Sequence, residues 1–485
     1  MTSPRTIHFV SLGCAKNRVD TEVMVGIAAG DGWRIVTEAA EAEVIVVNTC
    51  GFIGEAKKES IDTILELAEY KRVGACRKLV VAGCLAQRYA ADLASKLPEV
   101  DHLLGSSDMP KLERVLAGTK ERVLVGNPAD WLVGAADPRV LTQSAASAWL
   151  KIAEGCNRTC AFCVIPQIRG KQRSRTADDV IAEAERLAQN GVLELNLVSQ
   201  DTVAWGRDRA AEPRTTLASL VERVADVPGI RWVRLFYLYP ETLDDALIDL
   251  LAHHPRVVPY VDMPLQHASD AMLKRMRRGH GHDRQRRLVE RLRTSVPRLT
   301  LRTAFIVGHP GETQEDFDTL VSFVEWARFE HAVVFRYSDE ETCAAHGLDG
   351  KVSGLVAANR ARKLMALQRR IAREKNRALL GQELEVLVEG PSEEHEFVMK
   401  GRHAGQAPEI DGSVYLSEGE AHPGEMRRVR IAQASDWDLV GELLDSPEPG
   451  SRSLDPTAPT ASEARATSAR RVALRVLSTS PPAGR

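Results

Sequence analysis

The sequence predicts an α/β protein made of three parts in a row: a parallel-sheet domain, a partial (β/α)6 barrel of the TIM type, and a small antiparallel β-barrel. Two observations predict this order. Over most of the chain, apolar runs rich in β-branched residues alternate with helical patterns, which is typical of parallel strands joined by crossover helices. After residue 383 the pattern changes to short alternating strands divided by Gly and Pro, which is typical of a small barrel.

The first domain, residues 5–120, contains three apolar runs that are each followed by a helical pattern: 7–12, 44–47 and 79–81. Cys14, Cys50 and Cys84 each come just after one of these runs, and each has a glycine neighbour that allows close backbone approach. Because the carboxyl ends of parallel strands open onto one edge of a sheet, we expect the three thiols to converge there. A single buried cysteine is often only a small apolar residue, but three at equivalent positions favour a shared metal centre. We predict a 4Fe–4S cluster with one open iron.

Residues 121–141, which carry two glycines and two prolines, are predicted to be a linker. The second domain, residues 142–380, has strand-like runs separated mostly by helical stretches, at 150–153, 194–199, 232–237, 260–263, 301–307 and 332–337. Six β–α units with a cysteine-rich loop after the first strand predict a partial barrel whose site lies at the carboxyl ends of the strands. The arginine-rich stretch 357–380 is predicted to be an amphipathic helix with a solvated charged face.

The cysteine-rich loop reads Cys156-Asn-Arg-Thr-Cys160-Ala-Phe-Cys163, with three and then two residues between its thiols. Three thiolates this close together can hold three irons of a 4Fe–4S cube and leave the fourth iron open to an outside molecule. We expect S-adenosylmethionine there, because its amine and carboxylate can chelate the open iron. A four-cysteine zinc site would need another nearby cysteine, and the next one is Cys343. A three-ligand zinc site or unrelated thiols are the alternatives.

Composition bounds the class of protein. The chain has 485 residues, of which 44% are hydrophobic and 27% charged, as in soluble globular proteins with two to four domains. No apolar run approaches membrane-spanning length, and the N-terminus lacks a signal-peptide core. We therefore expect a cytoplasmic protein without a membrane partner, whose eight cysteines are reduced and available to metals. The net charge of −3 argues against a whole-molecule nucleic-acid binder.

The third domain, residues 381–445, is predicted to be the small antiparallel barrel, with strands at 384–388, 396–399, 413–416, 426–432 and 438–442. Between residues 383 and 445 there are fifteen acidic and five basic residues, a formal balance of −10. Such a barrel would repel RNA phosphates and would suit a strongly basic protein partner, although a merely solubilising surface is the alternative. Residues 446–485 are rich in Pro, Ser, Thr, Ala and Arg and are predicted to be a disordered tail.

Motifs spread along the chain to about residue 445 resemble those of the radical S-adenosylmethionine methylthiotransferase family. They are SLGCAKNRVDTE, VVNTCGFIGEAKKES, VAGCLAQRY, LKIAEGCNRTCAFCVIPQIRG, LVSQDT, YLYP, MPLQHAS and FIVGHPGET. The resemblance implies that the terminal barrel is a TRAM domain. It also implies two 4Fe–4S clusters and two uses of S-adenosylmethionine. One molecule gives a methyl group to the transferred sulfur, and another yields the 5′-deoxyadenosyl radical that removes hydrogen from an unactivated carbon.

Within this family, Ala15-Lys16-Asn17 after the first cysteine and residues 49–53 around the second resemble the RimO-type branch, which modifies a ribosomal protein. The transfer-RNA-modifying subgroup usually has Gln and Met after the first cysteine. The branch implies methylthiolation of an aspartate β-carbon in small-subunit ribosomal protein twelve, free or within the small subunit. It also implies a reducing partner such as flavodoxin or ferredoxin, and we do not expect direct RNA binding. The segment 336–343 departs from the family's usual Gly-Thr-Pro stretch and leaves the local loop shape open.

Two other classes of function are alternatives to this assignment. A transfer-RNA adenosine methylthiotransferase would share all six cysteine ligands and differ in its target. A non-catalytic iron–sulfur scaffold or electron carrier would not need two open irons, because electron carriers usually ligate every iron. Reductive cleavage of S-adenosylmethionine distinguishes the enzymes from the scaffold.

We predict six further residues to contact S-adenosylmethionine: Phe162, Gln200, Asp201, Gln266, Arg302 and Gly308. Gln200, Asp201 and Gln266 end predicted strands at the reactive edge, where hydrogen bonds to the ribose or amine are expected. Arg302 can pair with the cofactor carboxylate, with a structural salt bridge as the alternative. Phe162 can lie against the adenine, with ordinary loop packing as the alternative.

Overall fold

The computed structural model describes residues 5–142, 144, 146–209, 215–392 and 398–444. The predicted disordered tail, 446–485, lies outside the described residues. The α/β fold class is confirmed: a parallel-sheet domain, an open six-stranded parallel sheet and a closed five-stranded barrel follow one another along the chain. Among the described residues, no helix combines the length and apolar character that crossing a membrane requires.

The first sheet has six parallel strands in the order β2-β1-β3-β4-β5-β6. Its strands are β1 (Thr6–Ser11), β2 (Arg34–Ile35), β3 (Val44–Thr49), β4 (Lys78–Gly83), β5 (His102–Leu104) and β6 (Val123–Leu124). Its helices are α1 (Ala15–Gly30), α2 (Gly54–Ala68), α3 (Tyr70–Val73), α4 (Cys84–Lys96) and α5 (Leu112–Leu116). The strand β6 lies inside the segment predicted as a linker, 121–141, so the first sheet extends beyond the predicted boundary at residue 120.

The second sheet has the strand order β14-β13-β12-β11-β10-β7, and every neighbouring pair is parallel. Its strands are β7 (Ser147–Lys151), β10 (Glu194–Val198), β11 (Trp232–Leu235), β12 (Val257–Asp262), β13 (Thr300–Val307) and β14 (His331–Arg336). The short strands β8 (Ala153–Glu154) and β9 (Arg173–Ser174) pair with each other. Within the described residues the sheet stays open between β7 and β14, so the predicted partial barrel is confirmed.

The second domain has eight helices among the described residues, and most of them pack on the outside of the open barrel. They are α6 (Ile165–Arg169), α7 (Ala177–Gln189), α8 (Leu217–Ala225), α9 (Asp245–His253), α10 (Asp270–Arg275), α11 (His282–Ser295), α12 (Gln314–Ala327) and α13 (Gly354–Arg377). Side chains at Leu301, Phe305 and Val307 of β13 point outward into the core beneath these helices. The alternating residues of the same strand are less buried and face the barrel interior.

The terminal barrel is closed, in the order β15-β16-β17-β19-β18. Its strands are β15 (Glu383–Pro391), β16 (Met399–His403), β17 (Val414–Glu418), β18 (Met426–Ala434) and β19 (Leu439–Leu443). Two details differ from the prediction. The β17–β19 pair is parallel, and β16 continues to His403, beyond the predicted 396–399, of which residues 396 and 397 lie outside the described residues. Gly401 lets β16 lie against β15, where an added Cβ would meet the carbonyl oxygen of Leu387.

The three domains share buried contacts. Helix α1 is buried on nearly all sides, and its Arg18 pairs with Glu409 of the terminal barrel at 3.0 Å. In the second domain, the fully buried Glu194 pairs with Arg234 at 3.0 Å and with Arg402 of the terminal barrel at 2.6 Å. Burial alone would raise the pKa of Glu194, but Arg402 and Arg234 lower it to about 2. The barrel is therefore attached to the second domain through a buried, charged contact.

Candidate active site

The three upstream cysteines lie at neighbouring β–α junctions of the first sheet. Cys14 precedes the first residue of α1, Cys50 follows the last residue of β3, and Cys84 is the first residue of α4. Because β1, β3 and β4 are adjacent in the sheet, their carboxyl ends bring the three loops together.

The glycines beside these cysteines show how closely the loops approach. An added Cβ at Gly13, whose φ is +90°, would lie 2.9 Å from the Cβ and 3.3 Å from the Sγ of Cys50. An added Cβ at Gly51 would lie 2.9 Å from the carbonyl oxygen of Cys84. A larger residue at either position would therefore separate the thiols.

The electrostatic surroundings differ among the three upstream thiols. Burial raises the pKa of Cys14, but Lys16, Arg169 and backbone N–H groups at the start of α1 outweigh it, and the net pKa is lowered. Burial and the neighbouring thiols raise the pKa of Cys50, and burial also raises that of Cys84. Binding all three as thiolates therefore requires a strongly positive group among them, as an iron cluster provides.

In the second cysteine loop, each thiol accepts a hydrogen bond. The donors are the backbone N–H of Arg158 to Cys156 at 3.4 Å, that of Ile165 to Cys163 at 3.5 Å, and Nη1 of Arg278 to Cys160 at 3.3 Å. Burial raises the pKa of Cys156 to about 11 and that of Cys163 to about 12. Donors aimed at sulfur are the surroundings that iron–sulfur thiolates require.

The donor arrangement also bears on the zinc alternative. In the described ranges, no group of three or more His, Cys, Asp or Glu side chains is arranged to hold a metal ion. A zinc ion would need its ligands around one point, whereas a four-iron cube takes each thiolate on a different iron. The preference for cubes therefore rests on the cysteine spacing and on the family resemblance.

Around the second triplet, charged and aromatic side chains line the carboxyl edge of the barrel. Arg158 donates to Asp201 at 2.6 Å and to Glu241 at 3.0 Å. The ring of Tyr239 lies between two guanidinium groups, 3.7 Å from that of Arg158 and 4.0 Å from that of Arg278. The sequence placed Asp201 here, but it did not single out Arg158 in the cysteine loop or Tyr239 in the YLYP motif.

Several buried polar atoms at this edge have no hydrogen-bond partner among the described residues. They are Oε1 of Gln200, Oδ1 of Asp201, Oε1 of Glu241, Oγ1 of Thr242, Nε of Arg278 and both ring nitrogens of His280. Buried polar groups in proteins are nearly always paired, so this set offers hydrogen-bonding positions to a polar ligand. Its mixture of donors and acceptors fits the amine, carboxylate and ribose of S-adenosylmethionine.

The other predicted cofactor contacts lie in different surroundings. Gln266, with φ of +72°, follows β12 and bonds through its backbone to β13. Gly308 directly follows β13, donates its N–H to Glu312 and lies against α13. Arg302 pairs with Asp262 at 2.8 Å and lies 3.5 Å from a carboxylate oxygen of Asp411 in the terminal barrel. The structure thus gives Arg302 the salt bridge that was the alternative to its cofactor role.

Phe162 lies half-buried in the cysteine loop. It is therefore still available to the predicted adenine contact.

The segment 336–343, which departs from the family pattern, connects the second domain to the first. Glu340 is 2% exposed and accepts hydrogen bonds from Lys57 and Arg88, each at 2.7 Å. Ser338 accepts a hydrogen bond from the backbone N–H of Gly54 at 3.0 Å. These contacts hold the start of α2 and the first half of α4 against the loop that follows β14.

Replacing Glu340 with Gln should loosen this contact, because the half-buried Lys57 and the buried guanidinium of Arg88 lose their shared negative charge. We expect a loss of about 1–3 kcal/mol of contact free energy. Amide hydrogen exchange in α2 and α4 should accelerate, while exchange in the terminal barrel stays unchanged. The exposed neighbour Glu341, replaced in the same way, is the matched control. Equal exchange in the two variants would contradict the role of Glu340.

Three consecutive parts of the chain match known protein families. Residues 6–105 match the family described as Uncharacterized protein family UPF0004, residues 150–324 match the Radical SAM superfamily, and residues 380–444 match the TRAM domain. The fold and the site define a radical S-adenosylmethionine enzyme with a second cysteine site upstream. Membership of that superfamily implies a 4Fe–4S cluster and S-adenosylmethionine as cofactors.

Two relatives narrow the class. The chain is 66% identical over 481 residues to the ribosomal protein uS12 methylthiotransferase RimO of Sorangium cellulosum, and the match covers 98% of each chain. It is 48% identical over 452 residues to the protein of the same name from Myxococcus xanthus, covering 93% of this chain and 94% of that one. This chain belongs to the RimO family of methylthiotransferases. A radical S-adenosylmethionine methyltransferase from Kitasatospora setae, TsrM, is a distant structural neighbour, with 16% identity and a TM-score of 0.47 over 69% of this chain and 75% of that one.

Proposed function

We propose that this protein adds a methylthio group to the β-carbon of an aspartate in ribosomal protein uS12, the small-subunit protein twelve. The target is supported by the relatives, whose names give uS12 as their substrate, and by the residues after Cys14 that resemble the same branch. The same relatives weigh against the alternative target, a transfer-RNA adenosine. Modification of a ribosomal protein also supports a cytoplasmic location.

One observation carries the two-cluster mechanism: the cysteine triplets face each other across the short helix α6. This helix begins two residues after Cys163 and ends at Arg169, whose Nη2 lies 3.3 Å from the Sγ of Cys84. Five helical residues span only about 7 Å. The two sites can therefore act on one substrate carbon held between them.

With two 4Fe–4S clusters and S-adenosylmethionine bound, the cofactors would supply the electron, the radical and the methylated sulfur. The side chains of the protein would hold these cofactors in position. Arg158 orients Asp201 and Glu241 at the carboxyl edge, and Arg278 donates to Cys160, so both guanidinium groups fix the surroundings of the bound cofactor. Gln200 and Asp201 each have one oxygen atom without a hydrogen-bond partner among the described residues, and this atom would be available to the bound cofactor.

An apolar cluster between the two triplets limits water. Val164, Ile168 and Cys343 are buried with Cys84, and Phe52 packs against them. Excluding water protects a carbon-centred radical from side reactions. Cys343, to which the sequence assigned no role, is thus part of the barrier between the sites.

The structure qualifies the charge argument for a basic protein partner. Much of the acidic excess of the terminal barrel is neutralised within the chain, and four of these pairs reach other domains: Glu409 with Arg18, Glu385 with Arg231, Asp411 with Arg302, and Asp436 with Arg373. The preference for a protein over RNA therefore rests on the relatives more than on the barrel's charge. A small reducing protein such as flavodoxin or ferredoxin remains our proposed electron donor.

The proposed target can be tested with anaerobically reconstituted protein, S-adenosylmethionine and a reductant, offered uS12, whole small subunits and transfer RNA in parallel. We expect mass spectrometry to find a methylthio group on one aspartate of uS12 and none on RNA. A uS12 variant with Asn at that aspartate is the control. Modified transfer RNA with unmodified uS12 would overturn the target, and absence of 5′-deoxyadenosine would overturn the enzyme mechanism.

A further inference from the structure

Four charged side chains form a buried network in the layer between the two cysteine sites. Asp20 comes from α1, Lys151 from β7, Glu154 from β8 and Arg169 from α6, and none is more than 3% exposed. Lys151 contacts Asp20 and lies 2.8 Å from Glu154, while Nη1 of Arg169 lies 2.7 Å from Asp20 and 3.1 Å from Glu154. Two positive and two negative charges are thus removed from water together.

One end of this network reaches the upstream site. Nη2 of Arg169 donates to Oδ1 of Asn17 at 2.5 Å and to Sγ of Cys84 at 3.3 Å. Arg169 is also among the charges that lower the pKa of Cys14. A single guanidinium therefore contacts one upstream thiol and acts electrostatically on all three.

The other end of the network reaches the cofactor edge of the second domain. Oε2 of Glu154 accepts from Arg169, and Oε1 accepts from the side-chain amide of Gln200. The amide oxygen of Gln200 is buried and has no hydrogen-bond partner in the part of the chain that the structure describes, at the edge where we place S-adenosylmethionine. Cys84, Arg169, Glu154 and Gln200 thus form a continuous chain of hydrogen bonds between the two sites.

Such a network is not needed for stability alone. Burying ions carries a large desolvation cost, and apolar side chains of similar size often serve a core equally well. What the network provides is fixed geometry, because the planar guanidinium holds four partners in set directions. Its partners come from both domains that carry cysteine triplets, so it fixes those domains relative to each other.

We propose that Arg169 is a positioning residue that holds the upstream cysteine site and the cofactor edge at a fixed separation and tunes the upstream site through its hydrogen bond to Cys84. The coupling of the two sites rests on the proposed function, but the effect on the upstream site does not. Hydrogen bonds to the sulfurs and nearby charge set the reduction potential of an iron–sulfur cluster. Loss of this donor should therefore move the potential of the upstream cluster to more negative values.

The test compares Arg169→Lys and Arg169→Gln in a chain whose Cys156, Cys160 and Cys163 are replaced with Ala, so that only the upstream cluster is observed. Lys keeps the charge but cannot reach all four partners, whereas Gln removes the charge. We expect both variants to retain iron, with altered electron paramagnetic resonance spectra and a potential shifted slightly by Lys and further by Gln. Arg173→Lys is the matched control, since Arg173 donates to backbone carbonyls of residues 128, 129 and 131 and to neither triplet.

With all six cysteines present, the same variants should still form 5′-deoxyadenosine, but less of it should lead to methylthiolation of uS12. The ratio of deoxyadenosine to methylthiolated uS12 should rise by about a hundredfold in Arg169→Gln, as expected when reacting groups are misplaced by about 1 Å. Arg169→Lys should give an intermediate ratio. If Arg169→Gln fails to fold, Arg169→Lys decides the question.

An unchanged spectrum and potential in the folded variants would overturn the proposal, as would loss of iron from both sites alike. Failure to modify uS12 in the unaltered protein would overturn the proposed function and leave the spectroscopic result intact. The two failures are therefore distinguishable.

Discussion

Replacing Cys156, Cys160 and Cys163 with Ala is expected to abolish 5′-deoxyadenosine formation and to remove about half of the bound iron, from about eight to about four atoms per chain. In our proposal, the open iron that would chelate S-adenosylmethionine requires three thiolates on the other three irons. The polar groups at the carboxyl edge would remain, but without the cluster no electron would reach the sulfonium bond. Iron content and chromatographic measurement of deoxyadenosine check this result.

The control for this experiment is Cys76→Ala, which removes a buried thiol from the core of the first domain and touches neither triplet. It should leave both iron content and deoxyadenosine formation unchanged. If the triple variant still cleaved S-adenosylmethionine reductively, the cofactor would have to be bound elsewhere and our assignment of the loop 156–163 would be wrong.

Replacing Cys14, Cys50 and Cys84 with Ala should produce a different defect. About half of the iron should again be lost. S-adenosylmethionine cleavage should remain detectable, because the ligands of the downstream site are intact. Methylthiolation of uS12 should stop completely, because we propose that the open iron of the upstream cluster carries the sulfur that is transferred. Mass spectrometry of uS12 and a deoxyadenosine assay on the same reaction separate the two steps.

Full iron content in this upstream variant would refute the presence of a second cluster. Residual methylthiolation would show that the sulfur is held elsewhere. Since the three thiols lie on loops in mutual contact, single replacements should already weaken the cluster, and Gly13→Ala should do so without removing any ligand, because its Cβ would press on Cys50.

The longer elements were predictable from sequence because their apolar periodicity is strong. All six strands of the second sheet and the three strands before the upstream cysteines were found, with ends shifted by up to a few residues. The strands β2, β5 and β6 were missed, since two or three residues carry no readable pattern. The parallel β17–β19 pair was missed because strand pairing in a small barrel is decided by closure rather than by local sequence.

The candidate site also has features that could be predicted from the sequence and features that could not. Cysteine spacing and position after strands are local properties, so the sequence could predict which loops carry each triplet. Contacts between domains are not local. Arg169 follows its own triplet by only six residues, yet its partners Asp20 and Cys84 belong to the other domain. Arg302 has a similar non-local partner: besides Asp262 on the neighbouring strand, it lies near Asp411 of a domain more than a hundred residues later, and its contact with the cofactor stays a prediction.

The salt bridge that joins Arg402 to Glu194 has a consequence for how the chain is made. These residues are separated by 208 positions, so the second domain is synthesised well before its buried carboxylate receives its second guanidinium. Until β16 emerges from the ribosome, only Arg234 neutralises Glu194. The aromatic residues Phe236 and Tyr260 are then not yet packed against the terminal barrel. Folding of the central domain is therefore completed by the last domain to be translated. In a chain truncated before residue 402, the second domain itself would therefore fold incompletely, in addition to losing the terminal barrel.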